Sequence, residues 1–177
     1  MRRSLRQAIL SSLFAGLTAV LAYVAIPLPM SPVPVTLQTL GVMSAGLVLG
    51  PWWGMASAAL YLALGAIGFP VFAGGRAGPG VLAGPTGGYL LGFIAGAGIA
   101  GWVSYRRTGF WACFAAACLG GIGAVHLLGT LWLAVLTKRP ISQAFALGSA
   151  PYIPGDLLKA LAAAAMASRL RHLRPPM

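Results

Sequence analysis

The sequence predicts an all-α integral membrane protein, a bundle of six transmembrane helices with both termini cytoplasmic. Three observations carry that expectation. Of 177 residues, 59% are apolar and only 7% charged, against about 25% charged in an ordinary soluble domain. A soluble fold of this size cannot hide so much apolar surface, so the surrounding solvent is lipid. The apolar residues also come in runs of spanning length, separated by proline- and glycine-rich breaks. Finally, the basic residues gather at the ends of those runs, which is a topology signal.

The first helix is expected at 8–26. Its basic start resembles a secretory leader, but the apolar stretch is long for one and no A-x-A cleavage pattern follows, so a retained helix is expected. The segment IPLPMSPVP carries Pro27, Pro29, Pro32 and Pro34, which remove donors and impose extended backbone. A second helix at 35–49 is stopped by Gly50 and Pro51, and a third at 52–67 follows through a tight hairpin. Helices of this length reach only about 23 to 24 Å, short of a hydrocarbon core near 30 Å. They therefore either begin inside the loops or sit over a locally polar cavity, and the cavity is the preferred reading.

A glycine- and proline-rich connection at 68–85 leads to a fourth helix at 86–105 and a basic turn. The fifth run, 110–136, is long enough to span with tilt. Lys138 to Pro140 break it, a short surface helix is expected at 141–149, and a last helix at 154–170 has proline in its first turn. The chain reads as a single domain without internal repeats. With six spans and an inside N-terminus, Arg2, Arg3, Arg6, Arg106, Arg107, Arg169, Arg171 and Arg174 fall inside, whereas Arg76, Lys138 and Arg139 fall outside.

Composition and motifs exclude several functions. The net charge of +11 comes from twelve Lys and Arg against one acid, but its placement marks topology rather than a nucleic-acid surface. Cys113 and Cys118 lack metal-ligand spacing or a histidine partner, so no metal and no cofactor is expected. The GAGIAG at 96–101 matches a dinucleotide fingerprint but lies inside an apolar helix, where close helix packing explains it. No G-K-[ST] ending follows the glycine-rich loop, so the chain does not hydrolyse ATP itself. With one carboxylate and no nucleophile motif, it does not read as an enzyme.

The polar residues that an apolar bundle avoids cluster beside the three outer loops at 27–34, 68–85 and 137–153. Thr36, Gln38 and Thr39 start the second helix, Arg76 lies in the second loop, and Thr86 and Tyr89 start the fourth helix. Tyr152, Asp156 and Lys159 enter the last. Several segments converging on one mouth is what a small-molecule pocket requires. Asp156 and Lys159, spaced i, i+3, share a helix face. They serve either as a structural ion pair or as a site in which Lys159 attracts an anionic group and Asp156 accepts N–H donors. Gln38 and the threonines serve equally well as interhelical hydrogen-bond glue, Arg76 as a solvated loop charge, and His126, alone in an apolar helix, as packing.

The stretches IPLP at 26–29, VPVTLQTLGV at 33–42, FPVFAGG at 69–75, GPTGGYLLGF at 84–93 and PYIPGDLLKA at 151–160 occur in one order from first helix to last. In these the chain resembles the BioY family, the biotin-specific substrate-binding subunits of energy-coupling-factor transporters; only 102–149 is generic. The resemblance implies a six-helix bundle in the bacterial cell membrane that captures biotin at its outer face. It places Asp156 and Lys159 in the PGDxxK motif, Tyr89 in GPTGGY and Gln38 in TLQT, with Arg76 in a variable part of its loop. It also implies partners: a transmembrane coupling protein, docked through small residues such as Ala15 and Ala19 on the first helix, and two ATP-binding subunits. Those two alanines fit A-x-x-x-A spacing, which equally permits packing within the bundle. Readings that stay open are another vitamin, a purely structural subunit, and a stand-alone proton-coupled carrier using Asp156.

Overall fold

The computed structural model describes residues 2–106, 109–170 and 173, with the side chains of Arg2 and Arg3 omitted. Of the basic residues assigned to the inner side, Arg107, Arg171 and Arg174 lie outside the described residues, as do those two side chains. The chain runs through nine α-helical segments among the described residues: α1 Arg2–Ala22, α2 Gln38–Leu49, α3 Pro51–Ala66, α4 Pro79–Ala83, α5 Gly87–Arg106, α6 Phe110–Ala117, α7 Val125–Thr137, α8 Ile141–Gly148 and α9 Ile153–Arg169. A π-helical segment, Cys118–Ala124, joins α6 to α7, making one helix of 28 residues from Phe110 to Thr137.

Two differences from the sequence reading concern the pocket end. The first helix was expected at 8–26, but α1 stops at Ala22, and Ala25–Ile26 form a short strand, β1. It pairs antiparallel with β2, Val35–Thr36, which was expected to open the second helix. Prolines at 27, 29, 32 and 34 supply the extended backbone that lets these segments pair. As a result α2 has 12 residues and reaches only about 18 Å. Its helical start is replaced by a hairpin base that lines the cavity, so the helix is short because it ends beneath the site.

Helix α2 is buried almost all round, as expected of a central helix in a bundle. It packs on α1, α3, α5 and α9, and α5 in turn on α3 and α7. Glycine sets these approaches. A Cβ on Gly46 would stand 2.4 Å from the Ala97 carbonyl oxygen, and one on Gly120 would stand 2.2 Å from that of Gly96. The dinucleotide-like glycine motif is therefore a helix-packing surface. The alanine-rich stretch of α9 does the same work at the end away from the cavity, where Ala160, Ala163, Ala164 and Ala167 join Met43, Leu47 and Ala116 in one core. Outward faces carry large apolar side chains such as Leu13, Trp111, Leu127 and Val135, the surface that lipid solvates. Three helical stretches among the described residues are long and apolar enough to cross a bilayer: Ser4–Ala22, Gly87–Arg106 and Phe110–Thr137. The spans expected at 35–49, 52–67 and 154–170 fall on the shorter α2, α3 and α9.

The expected docking pair faces the chain's own bundle. Ala15 is 1% exposed and packs into the chain's own core, with Ala19 partly buried against the same cluster. They lie on the inner face of α1, with Ser11, Phe14, Thr18 and Ala22. Small residues on the outer face include Ala8, Ser12 and Gly16, and a Cβ on Gly16 would meet nothing within 4 Å.

Candidate functional site

The site is built from the inside outward, starting at Asp156. Pro154 in the first turn of α9 fixes where the helix starts, and Asp156 follows, 2% exposed. Its Oδ1 accepts from the Thr39 hydroxyl at 2.8 Å and from Lys159 Nζ at 2.7 Å, and its Oδ2 contacts His126 Nε2 at 2.8 Å. A carboxylate this buried is tolerable only with such a full set of donors. Lys159 is held in turn by the Thr36 carbonyl and by Thr39 Oγ1 at 3.2 Å. The Thr36 carbonyl is available because strand β2 gives way to α2 only after Leu37.

Beside this centre, the Thr36 hydroxyl donates to Gln38 Oε1 at 2.8 Å, while Gln38 Nε2 donates to the Tyr61 hydroxyl. Tyr61 donates to the Val71 carbonyl at 2.9 Å, so the loop after α3 is tied to the start of α2. Tyr89 of α5 fits because residue 129 is glycine, where a Cβ would stand 2.2 Å from its ring. The Tyr89 hydroxyl donates to the Gly148 carbonyl at 2.7 Å, and Ser149 links it to Thr130. The Tyr152 hydroxyl, just before α9, reaches Ser31 Oγ at 2.7 Å and the Val33 carbonyl.

These elements line one pocket that opens at the loop end of the bundle. The structure brings all eight sequence-selected residues, Thr36, Gln38, Arg76, Thr86, Tyr89, Tyr152, Asp156 and Lys159, to its wall. Arg76 is exposed, its Nε donating to the Ala73 carbonyl at 3.1 Å, which leaves the rest of the guanidinium for solvent or ligand. Phe72, Leu90, Phe93 and Val125 supply apolar walls. The charged groups are two cations against one anion, which favours a ligand carrying a negative end and an uncharged, hydrogen-bonding body. Among the described residues no cluster of three or more His, Cys, Asp or Glu forms a metal site.

Sequence reasoning missed three participants. His126 was read as packing, yet it touches Asp156 and lines the cavity. Thr39 was noted only as part of a polar start, and it donates directly to the carboxylate. Tyr61 gave no signal, being one aromatic in an apolar run. Helical spacing could not have located His126, because a π-segment immediately before it shifts the face by about one residue.

Comparison with known proteins places this geometry in context. The model of the BioY family matches residues 1–176. A biotin transporter BioY of Thermotoga maritima is 40% identical over 169 residues, covering 96% of this chain and 98% of that protein. One of Rhodobacter capsulatus is 43% identical over 182 residues, covering 96% and 95%. The fold matches the crystal structure of the S-component for biotin from an ECF-type ABC transporter with a TM-score of 0.90 and 28% identity, over 97% of this chain and 93% of that one.

Proposed function

The chain belongs to the BioY family, and from that premise we propose that it is a membrane subunit that captures biotin at the outer face for uptake, not an enzyme. The observation that carries the reading is the Asp156–Lys159 pair at 2.7 Å in the wall of a largely apolar cup. A cyclic urea presents N–H donors beside a carbonyl acceptor. The pair sets an acceptor, Asp156 Oδ2, beside the Lys159 ammonium, whose contacts to Thr36 and Thr39 a urea carbonyl would replace, so the ureido end fits against it. The apolar bicycle and side chain of biotin suit Phe72, Leu90, Phe93 and Val125, and its carboxylate suits the free donors of Arg76 at the mouth.

On this reading six helices cross the cell membrane, with both termini on the cytoplasmic side and the cup opening outward. Energy comes from partners: a transmembrane coupling protein and ATP-binding subunits, consistent with the ECF-type transporter to which the structural relative belongs. The outward stripe of Ala8, Ser12 and Gly16 on α1 is the surface for the coupling protein, in place of Ala15 and Ala19.

The test is equilibrium binding of labelled biotin by the purified full chain in detergent, with riboflavin and thiamine as competitors. Nanomolar or tighter biotin binding is expected, with loss in Asp156→Ala and Lys159→Ala. Equal competition by the other vitamins would overturn the ligand assignment. Unaltered binding by both variants would remove the pair from the site.

A further inference from the structure

His126 lies outside the five stretches in which the sequence resembles the family, yet it makes the third contact to the central carboxylate. Its Nε2 lies 2.8 Å from Asp156 Oδ2, and a carboxylate only accepts, so Nε2 is the protonated nitrogen of the ring. The other nitrogen, Nδ1, is buried with no hydrogen-bond partner. A packing histidine ordinarily has both nitrogens satisfied or in water. Here one nitrogen is left bare while the other is kept on Asp156, so the ring orientation serves the carboxylate.

Two tyrosine rings also pack near the imidazole. Tyr89 meets it edge-on at 5.9 Å between centroids, and Tyr152 stands 6.4 Å away with its plane tilted by 32°. Both tyrosine hydroxyls are tied to outer-loop backbone, at Gly148 and at Val33. Thr39 and Lys159 occupy Oδ1, whereas His126 takes only one acceptor position of Oδ2. One lone pair of Oδ2 remains for a ligand.

We propose that His126 is a specificity-determining positioning residue, which fixes the orientation of the Asp156 carboxylate with Oδ2 turned to receive a ligand N–H. It rests on the biotin reading above and adds to it that selection for the urea N–H is enforced through His126. A ligand offering an acceptor or an anion at that point would face an oxygen that cannot donate.

The test compares wild type, His126→Phe and His126→Gln as purified full chains, measuring affinity for biotin and for each singly N-methylated biotin. In wild type one methylated analogue is expected to lose about tenfold or more, the value of one charge-assisted hydrogen bond. His126→Phe is expected to weaken biotin about tenfold and to shrink that methylation penalty, since Oδ2 is no longer held. His126→Gln, whose amide N–H can replace Nε2–H, is expected to regain both the affinity and the penalty. Wild-type affinity in His126→Phe would overturn the proposal. So would a common loss across all three ligands in both variants, since that is what a purely structural role gives. Failure of the wild-type chain to bind biotin at all would instead overturn the functional reading, and the proposal with it.

Discussion

Replacing Lys159 by methionine isolates what the ion pair costs and supplies. In the intact chain Asp156 is 2% exposed, and its Oδ1 is shared by Lys159 at 2.7 Å and Thr39 at 2.8 Å. Lys159→Met keeps the side-chain volume but leaves a buried carboxylate facing one hydroxyl and one imidazole. Removing one member of a buried pair typically costs about 3–5 kcal/mol, mostly the penalty of the stranded charge. Adding Asp156→Asn removes that charge, so the double variant is expected to recover at least half of the loss. It also removes the acceptor-beside-donor pair that meets the urea, so neither variant is expected to bind biotin tightly. The assay is denaturant unfolding in mild detergent, with labelled biotin binding measured on the same preparations. A double variant no more stable than Lys159→Met would refute the stranded-charge reasoning. Tight binding by the double variant would refute the assigned role of the pair.

Three further perturbations separate the site from its scaffold. Tyr152→Phe removes the hydroxyl shared with Ser31 and the Val33 carbonyl; biotin release in a chase experiment is expected to quicken, with about 1–3 kcal/mol lost if the carbonyl stays unpaired. Gly46→Ala places a methyl 2.4 Å from the Ala97 carbonyl oxygen. It is expected to lower unfolding stability by about 1–3 kcal/mol through overpacking, while any folded fraction still binds biotin with wild-type affinity. Gly16→Leu adds a side chain where a Cβ meets nothing within 4 Å. It is expected to leave biotin binding intact but to abolish co-purification with the coupling protein, whereas continued co-purification would move the docking surface elsewhere.

How far the sequence could be read depended on whether a residue's role was set by its own segment. Asp156, Lys159, Gln38 and Tyr89 lie next to breaks that proline and glycine announce, and strand and helix ends carried them to one mouth. Arg76 and Thr86 followed by the same logic. The pairing of β1 with β2 was not legible, because two-residue strands leave no periodicity and the threonine-containing start of α2 reads equally as helix. His126 was hidden for a different reason. Its direction depends on the π-segment at Cys118–Ala124, where Gly121 accommodates Met43 of α2, with a Cβ position only 2.3 Å from Met43 Cγ. That is a tertiary contact, and no local pattern encodes it. Ala15 and Ala19 illustrate the opposite case. Small-residue spacing is legible, but which side of α1 faces the bundle is decided by Phe14, Thr18 and Ala22, and they turn the pair inward.

The most direct measurement is the position of biotin in an experimentally determined structure of the purified chain with the vitamin bound. The account predicts one molecule in the cup, its urea within hydrogen-bonding distance of Asp156 and Lys159 and its ring between the apolar walls. Biotin resting on the lipid-facing surface or near the Gly50–Pro51 turn at the far end of α2, with the cup unfilled, would contradict it.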